Sequence, residues 1–365
     1  MNTLGIYIHI PFCRKKCPYC DFFSKCGNEI EYEKYTAETL KKIVNWSNLC
    51  NKKVTSVYFG GGTPSVIGAE RLCAMLNKIK TCFSVCDDAE ITCEVNPESG
   101  KNMDFDLMKN TGFNRISIGL QSAVENELRV LGRIHTAEEA RLTAARAAQA
   151  GINNISFDLM MGIPLQTIDS LKKSIEFCAD CNVTHISSYL LKIEKGTRFF
   201  TLKDKLPFSD DDIQADLYLN AVDLLERIGY GQYEISNFAK PGYEGKHNIN
   251  YWKCGEYIGI GPSAHSFFEG KRFYYERSIQ NYYDRKIVDD GTGGDSGEYI
   301  MLSLRLKEGL VFSEFERRYA SPVHPETIKK IKNFAKHGFM ELDNEHACFT
   351  KKGFLVSNSI ISELI

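Results

Sequence analysis

Through its first two-thirds the chain alternates short β-branched runs with stretches of helical periodicity. Strands are predicted at Gly5–Ile10, Val54–Phe59, Glu90–Val95, Arg115–Gly119, Asn154–Asp158 and Thr184–Ser188. Between them, apolar residues recur with a helical period over Tyr32–Ser47, Ala69–Cys82, Met103–Asn110, Ala137–Ala150 and Ile168–Ala179. Such alternation gives a parallel sheet with helices outside it. Six strands in sequence predict an α/β fold, a partial (β/α)6 barrel, over residues 1–228. In barrels of this kind the chemistry sits at the carboxyl ends of the strands.

Beyond Ser188 the pattern changes. Asp210–Ile228 reads as a helix capped by Ser209 and followed by Gly229. Residues 229–288 form a connecting region, within which Tyr230–Tyr283 is rich in Gly, Tyr, Phe, Asn and His, a composition suited to binding loops. Asp289–Gly297 reads as a linker, and residues 289–365 as a small α+β, winged-helix-like domain with a strand pair near Met340–Glu341 and Ala347–Phe349.

Composition adds little except cysteine. A net charge of −2 over 365 residues, with 25% charged residues, gives no footprint for nucleic acid, and no nucleic-acid partner is expected. The start of the chain lacks the basic and apolar regions of a signal peptide, so a cytoplasmic, reducing location is expected. The 13 cysteines are then ligands, reactive thiols or small core residues. Cys50, Cys73, Cys82, Cys86, Cys93 and Cys348 fall in apolar-periodic segments and read as packing, and the Cys178/Cys181 pair lacks a second pair to complete a zinc site.

Cys13, Cys17 and Cys20 stand apart, as C-x3-C-x2-C directly after the first strand. Cubane iron–sulfur clusters take four thiolates, so three on one loop leave an iron open. Lys15 and Lys16 add positive charge that favours thiolates. Spacing alone also suits a zinc knuckle; the place at a strand's carboxyl end favours the cluster. Further motifs follow later strands: Gly60-Gly61-Gly62-Thr63-Pro64, Glu94-Val95-Asn96-Pro97, Gly119-Leu120-Gln121-Ser122, Leu131-Gly132-Arg133, and Asp158 before Met161-Gly162-Ile163-Pro164.

The C-x3-C-x2-C loop together with these motifs resembles the radical S-adenosylmethionine (SAM) family. The resemblance implies a [4Fe–4S] cluster on Cys13, Cys17 and Cys20 whose open iron chelates SAM, with one-electron cleavage giving a 5′-deoxyadenosyl radical. It also implies a SAM pocket lined by Tyr7, Gly61, Gly62, Thr63, Glu94, Gln121, Arg133 and Asp158, with Leu190 near its mouth.

Nearly the whole chain resembles the branch that holds oxygen-independent coproporphyrinogen III oxidase and a haem chaperone. The oxidase motif is C-x3-C-x2-C-x-C, but the fourth position here is Phe22; the oxidase also has an extension before its first strand, which here starts almost at Met1. His247-Asn248-Ile249-Asn250-Tyr251-Trp252 resembles the H-N-x-x-Y-W motif of the chaperone branch. That resemblance implies haem on His247, with Tyr251 and Trp252 against the macrocycle and Lys246 and Lys253 available to propionates. His265 is a second candidate ligand, and His9 reads as a packed residue below the cluster. The expected function is haem delivery to haem-requiring acceptors, membrane respiratory enzymes among them. An electron donor is expected as a further partner, a homodimer is compatible, and the chain would meet the membrane only peripherally through its acceptor. The competing expectation is decarboxylation of coproporphyrinogen III.

Overall fold

The computed structural model describes residues 3–365. Six parallel strands form its centre: β1 (Thr3–Ile10), β2 (Lys53–Gly61), β3 (Val85–Val95), β4 (Arg115–Gln121), β5 (Asn154–Met161) and β6 (His185–Leu190). Neighbours in sequence are neighbours in the sheet, all in parallel register, which is the predicted partial barrel. Side chains alternate across each strand. Leu4, Ile6, Ile8 and Ile10 of β1, with Ile116, Ile118 and Leu120 of β4, point to the helices and are fully buried. The opposite positions face the barrel interior and are mostly polar: Tyr7 and His9, Ser56 and Tyr58, Glu90 and Glu94, Arg115 and Ser117, Ser156 and Asp158. The apolar core therefore lies between sheet and helices, and the interior is free to hold hydrogen-bonded groups.

The helices start where capping chemistry allows. Asn28 and Thr136 each close a capping box, with Glu31 and Glu139, for helices Glu29–Ser47 and Ala137–Gln149. Helix Asp211–Arg227 is capped by Asp210, not by Ser209: the Asp210 carboxylate accepts from the Ile213 N–H.

Residues 229–288 are not a loop region. They supply β7 (Gly231–Gln232) and β8 (Asn237–Ala239), antiparallel beyond β6, then β9 (Tyr257–Ile260), parallel to β1, followed by β10 (His265–Phe268), β11 (Lys271–Tyr275) and the first residues of β12 (Ile287–Thr292). The sheet runs continuously through 12 strands, so the boundary expected at residue 228 falls inside one sheet. The linker expected at Asp289–Gly297 is likewise corrected, because its first residues pair with β11. Aromatic residues of this stretch build sheet and core: Tyr275 and Tyr282 are buried.

The C-terminal unit begins with helix Ser296–Ser303 and carries a small antiparallel sheet of β13 (Leu310–Val311), β14 (Met340–Leu342) and β15 (His346–Phe349), in the order β13-β15-β14. With helices Phe312–Tyr319 and Pro325–Lys336 this is the expected α+β arrangement. No helix among the described residues is long and apolar enough to cross a membrane.

Candidate functional site

A cavity of about 560 Å³ opens at the carboxyl ends of the barrel strands. Its wall contains Cys13, Cys17 and Cys20 and, of the predicted pocket residues, Gly61, Gly62, Thr63, Glu94, Gln121, Arg133, Asp158 and Leu190. Tyr7 is not brought into the wall. It sits one layer lower, its hydroxyl 3.1 Å from His9 Nδ1, while His9 Nε2 lies 2.9 Å from the Phe23 carbonyl. Buried His9 thus braces the cysteine loop from beneath, as expected, and burial pushes its pKa down to about 4. Phe22, singled out above for replacing the oxidase's fourth cysteine, lines the cavity, and so do residues the sequence did not single out: Tyr19, Tyr58, Asn96, Met160 and Tyr189. Asn96 lay within the quoted Glu94-Val95-Asn96-Pro97 motif; the others carried no signal beyond their nearness to motifs.

Glycines set the approach of β2 to the cysteine loop. The Gly62 N–H donates to the Ile10 carbonyl at 2.8 Å and the Thr63 N–H to the Phe12 carbonyl at 2.7 Å. A Cβ on Gly62 would come within 2.6 Å of the Phe12 oxygen, and Gly61 has a φ of 111°. Gln121, at the end of β4, takes a φ of 69° although it is not glycine. Such strain is found where surroundings over-determine a functional position.

A hydrogen-bonded chain joins the strand ends to the thiols. Arg133 donates through Nη2 to Asn96 Oδ1 at 2.8 Å and to the Gly119 carbonyl at 2.7 Å. Asn96 Nδ2 donates to Thr63 Oγ1 at 3.0 Å, and Thr63 donates to Cys13 Sγ at 3.4 Å. Arg133 Nη1 lies 3.7 Å from Cys17 Sγ. Among the described residues the buried Arg133 Nε has no hydrogen-bond partner. Arg133 also lines the cavity wall, where a guanidinium fits an anionic or carboxylate ligand. Donors aimed at two sulfurs fit thiolates that carry a cluster's charge.

The carboxylates are set apart by burial. Desolvation, then the nearby charge of Asp158, pushes Glu94 up to about 7, against the hydrogen bond from Tyr58 Oη at 2.9 Å. Asp158 is raised by the same desolvation, opposed by hydroxyls of Ser187 and Ser117, the latter at 3.0 Å. Two carboxylates in one cavity suit a cationic group such as a ligand's ammonium.

His247 lies elsewhere. It is in helix Lys246–Trp252, which closes the amino-terminal end of the barrel, opposite the cysteine loop. Its ring is 2% exposed, with Nδ1 2.8 Å from Ser56 Oγ and Nε2 2.7 Å from Tyr251 Oη. Burial, assisted by Arg115, lowers its pKa to about 3. Trp252 Nε1 donates to Glu234 at 2.8 Å, and Asn250 Nδ2 to the Glu256 carbonyl at 3.1 Å. Lys246 and Lys253 are paired with Asp88 and Glu308. The expectation of a binding loop is corrected: the segment is a short helix with His247 packed against the barrel floor, and in this conformation it does not fit a bound macrocycle. His265 is exposed on β10, stacked on Tyr274 with ring centroids 4.8 Å apart.

A three-cysteine loop at the carboxyl end of a parallel partial barrel is the arrangement of a radical SAM scaffold. In agreement, the family described as the Radical SAM superfamily matches residues 7–178, and the HemN C-terminal domain matches residues 297–356. Membership of that superfamily implies a [4Fe–4S] cluster and SAM. The chain is 39% identical to the haem chaperone HemW of Escherichia coli over 73% of its own length and 70% of that protein. It is 30% identical to HemW of Mycobacterium tuberculosis across 100% of the chain and 95% of the relative. The solved structure of coproporphyrinogen III oxidase (HemN) from Escherichia coli, a radical SAM enzyme, superposes with a TM-score of 0.83 at 22% identity, covering 98% of this chain and 89% of that one. The chain belongs to the HemW family of radical SAM proteins.

Proposed function

We propose that the chain is a haem chaperone that binds haem and passes it to haem-requiring acceptors, membrane respiratory enzymes among them. Cys13, Cys17 and Cys20 would hold a [4Fe–4S] cluster, and Gly61, Gly62, Thr63, Glu94, Gln121, Arg133 and Asp158 would hold SAM, with Leu190 at the mouth. Tyr7 acts from below, through His9. When bound, cluster and SAM supply one-electron chemistry fed by an electron donor. His247 is the proposed haem ligand, with Tyr251 and Trp252 as aromatic partners. A homodimer and a cytoplasmic location, peripheral to the membrane through the acceptor, complete the proposal.

The observation that carries the chaperone over the oxidase is Phe22. It stands where the oxidase motif has its fourth cysteine, lines the cavity and is 67% exposed at its mouth. An apolar ring replaces a thiol where the oxidase's further cysteine would act. One anaerobic assay offering haem and coproporphyrinogen III side by side tests the choice. Stable haem binding and transfer to an apo-acceptor, without carbon dioxide release, is expected; protoporphyrinogen IX formed over multiple turnovers would establish the oxidase instead.

A further inference from the structure

The two carboxylates of the cavity are held by different donors. Asp158 takes the hydroxyls of Ser117 and Ser187. Glu94 takes the Tyr58 hydroxyl at 2.9 Å and the Gly61 N–H. Tyr58 lies on β2 between its register partners, Tyr7 of β1 and Thr92 of β3. Its ring is fixed from two sides, 6.1 Å from the Tyr7 centroid and stacked on His247 at 5.2 Å. Burial, then the charge of Glu94, holds the Tyr58 hydroxyl above its ordinary pKa, so it stays a donor.

Gly60, two residues further along β2, shows how closely the pair is fitted. A Cβ there would come within 2.9 Å of Tyr58 Cε1, 3.0 Å of Glu94 Oε1 and 3.1 Å of Tyr7 Cε2. The backbone of Gly60 does not take a positive φ, so what the position demands is space. Only glycine lets the three side chains converge without a shift.

We propose that Tyr58 is a positioning residue for SAM: its hydroxyl aims Glu94 Oε1 into the cavity and keeps that carboxylate ready for the ligand's ammonium. The proposal rests on the reading of Glu94 as a SAM partner. The groups that face Glu94 are Tyr7 on β1, Tyr58 on β2, Arg115 on β4 and Asp158 on β5. Burial and then Asp158 push its pKa up to about 7, and the Tyr58 hydroxyl leads the groups that oppose them. An ammonium pairs with the ionised form. Without the phenol the carboxylate takes its proton at higher pH, so SAM is lost earlier as the pH falls.

The test measures SAM affinity across the neutral pH range in the full-length, cluster-loaded chain, from the EPR spectrum of the reduced cluster. Wild type, Tyr58→Phe, Gly60→Ala, Glu94→Gln and the Tyr58→Phe/Glu94→Gln double variant are compared. Tyr58→Phe keeps the ring and its stacking. It should weaken binding about fivefold near pH 7, with the deficit closing at higher pH, because the midpoint of the pH dependence moves up by about one unit. Gly60→Ala parts the same pair; it should move the midpoint in the same direction, and it carries the test if Tyr58→Phe does not fold. On the Glu94→Gln background, removing the hydroxyl should move no midpoint. An unmoved midpoint in Tyr58→Phe, or an equal loss of affinity on both backgrounds, would overturn the positioning role, since a merely structural change lowers affinity at every pH alike. Glu94→Gln binding SAM as the wild type does, with the same pH dependence, would instead overturn the reading of Glu94 on which the proposal stands.

Discussion

Tyr58 stands between the two ends of the barrel, its ring stacked on His247 with centroids 5.2 Å apart and its hydroxyl 2.9 Å from Glu94. The floor that carries the proposed haem ligand and the cavity that carries the proposed SAM residues therefore share one side chain. A change on the floor that shifts Tyr58 alters the hydrogen bond that opposes the raised pKa of Glu94.

The cluster is tested by composition. Anaerobically reconstituted protein should hold about four irons and four sulfides per chain. Cys17→Ser should lose them, whereas Cys178→Ser should not, because Cys178 is a buried core residue. Equal iron loss in both variants would show that a different set of cysteines binds.

SAM should perturb the EPR spectrum of the reduced cluster. Arg133→Ala removes the guanidinium from the cavity wall and its contact to Asn96. It should weaken SAM binding by ~10-fold or more, as expected for loss of hydrogen bonds to a charged partner. Glu94→Gln should weaken it less, since it keeps the shape and loses the charge. A spectrum that saturating SAM leaves unchanged in the wild type would contradict the open iron site.

Acid should destabilise the apoprotein through its buried histidines. Burial lowers His9 to about 4, and His135 and His247 to about 3. His185, bonded to Ser156 and Tyr233, is lowered as well. Below about pH 6.5 the unfolded chain binds protons that the folded chain refuses, so the stability these residues contribute is full above that pH and lost as pH falls toward the folded values. Urea unfolding at pH 5 should show His247→Gln taking up about one proton fewer on unfolding than the wild type. Equal uptake would mean that His247 is charged in the folded state.

Much of this was legible in the sequence. The six barrel strands and their helices fell within a few residues of their observed ends, because one face of each strand is apolar, as in Ile6, Ile8 and Ile10, and the helices begin at recognisable caps. Most of the cavity residues were legible because they lie at or near a strand's carboxyl end; Arg133, beyond the short helix Glu125–Val130, was legible only through its motif. Residues 229–288 were not. Their strands are two to six residues long, too short to show a period, and their Gly and Tyr content looks the same in a loop as in an edge strand. His247 was misplaced for a related reason. A polar, aromatic segment reads as exposed, but the barrel interior is itself polar, and Ser56, Glu90 and Tyr251 satisfy the groups that burial would otherwise strand.

The measurement that bears most directly on the proposed function is equilibrium haem titration of the cluster-loaded protein, with His247→Ala and His265→Ala beside the wild type. The account predicts that His247→Ala loses the Soret band of bound haem while its iron and sulfide content stays intact, and that His265→Ala binds as the wild type does. Wild-type haem affinity and normal transfer in His247→Ala, with binding lost in His265→Ala, would contradict it and move the ligand to the exposed imidazole on β10.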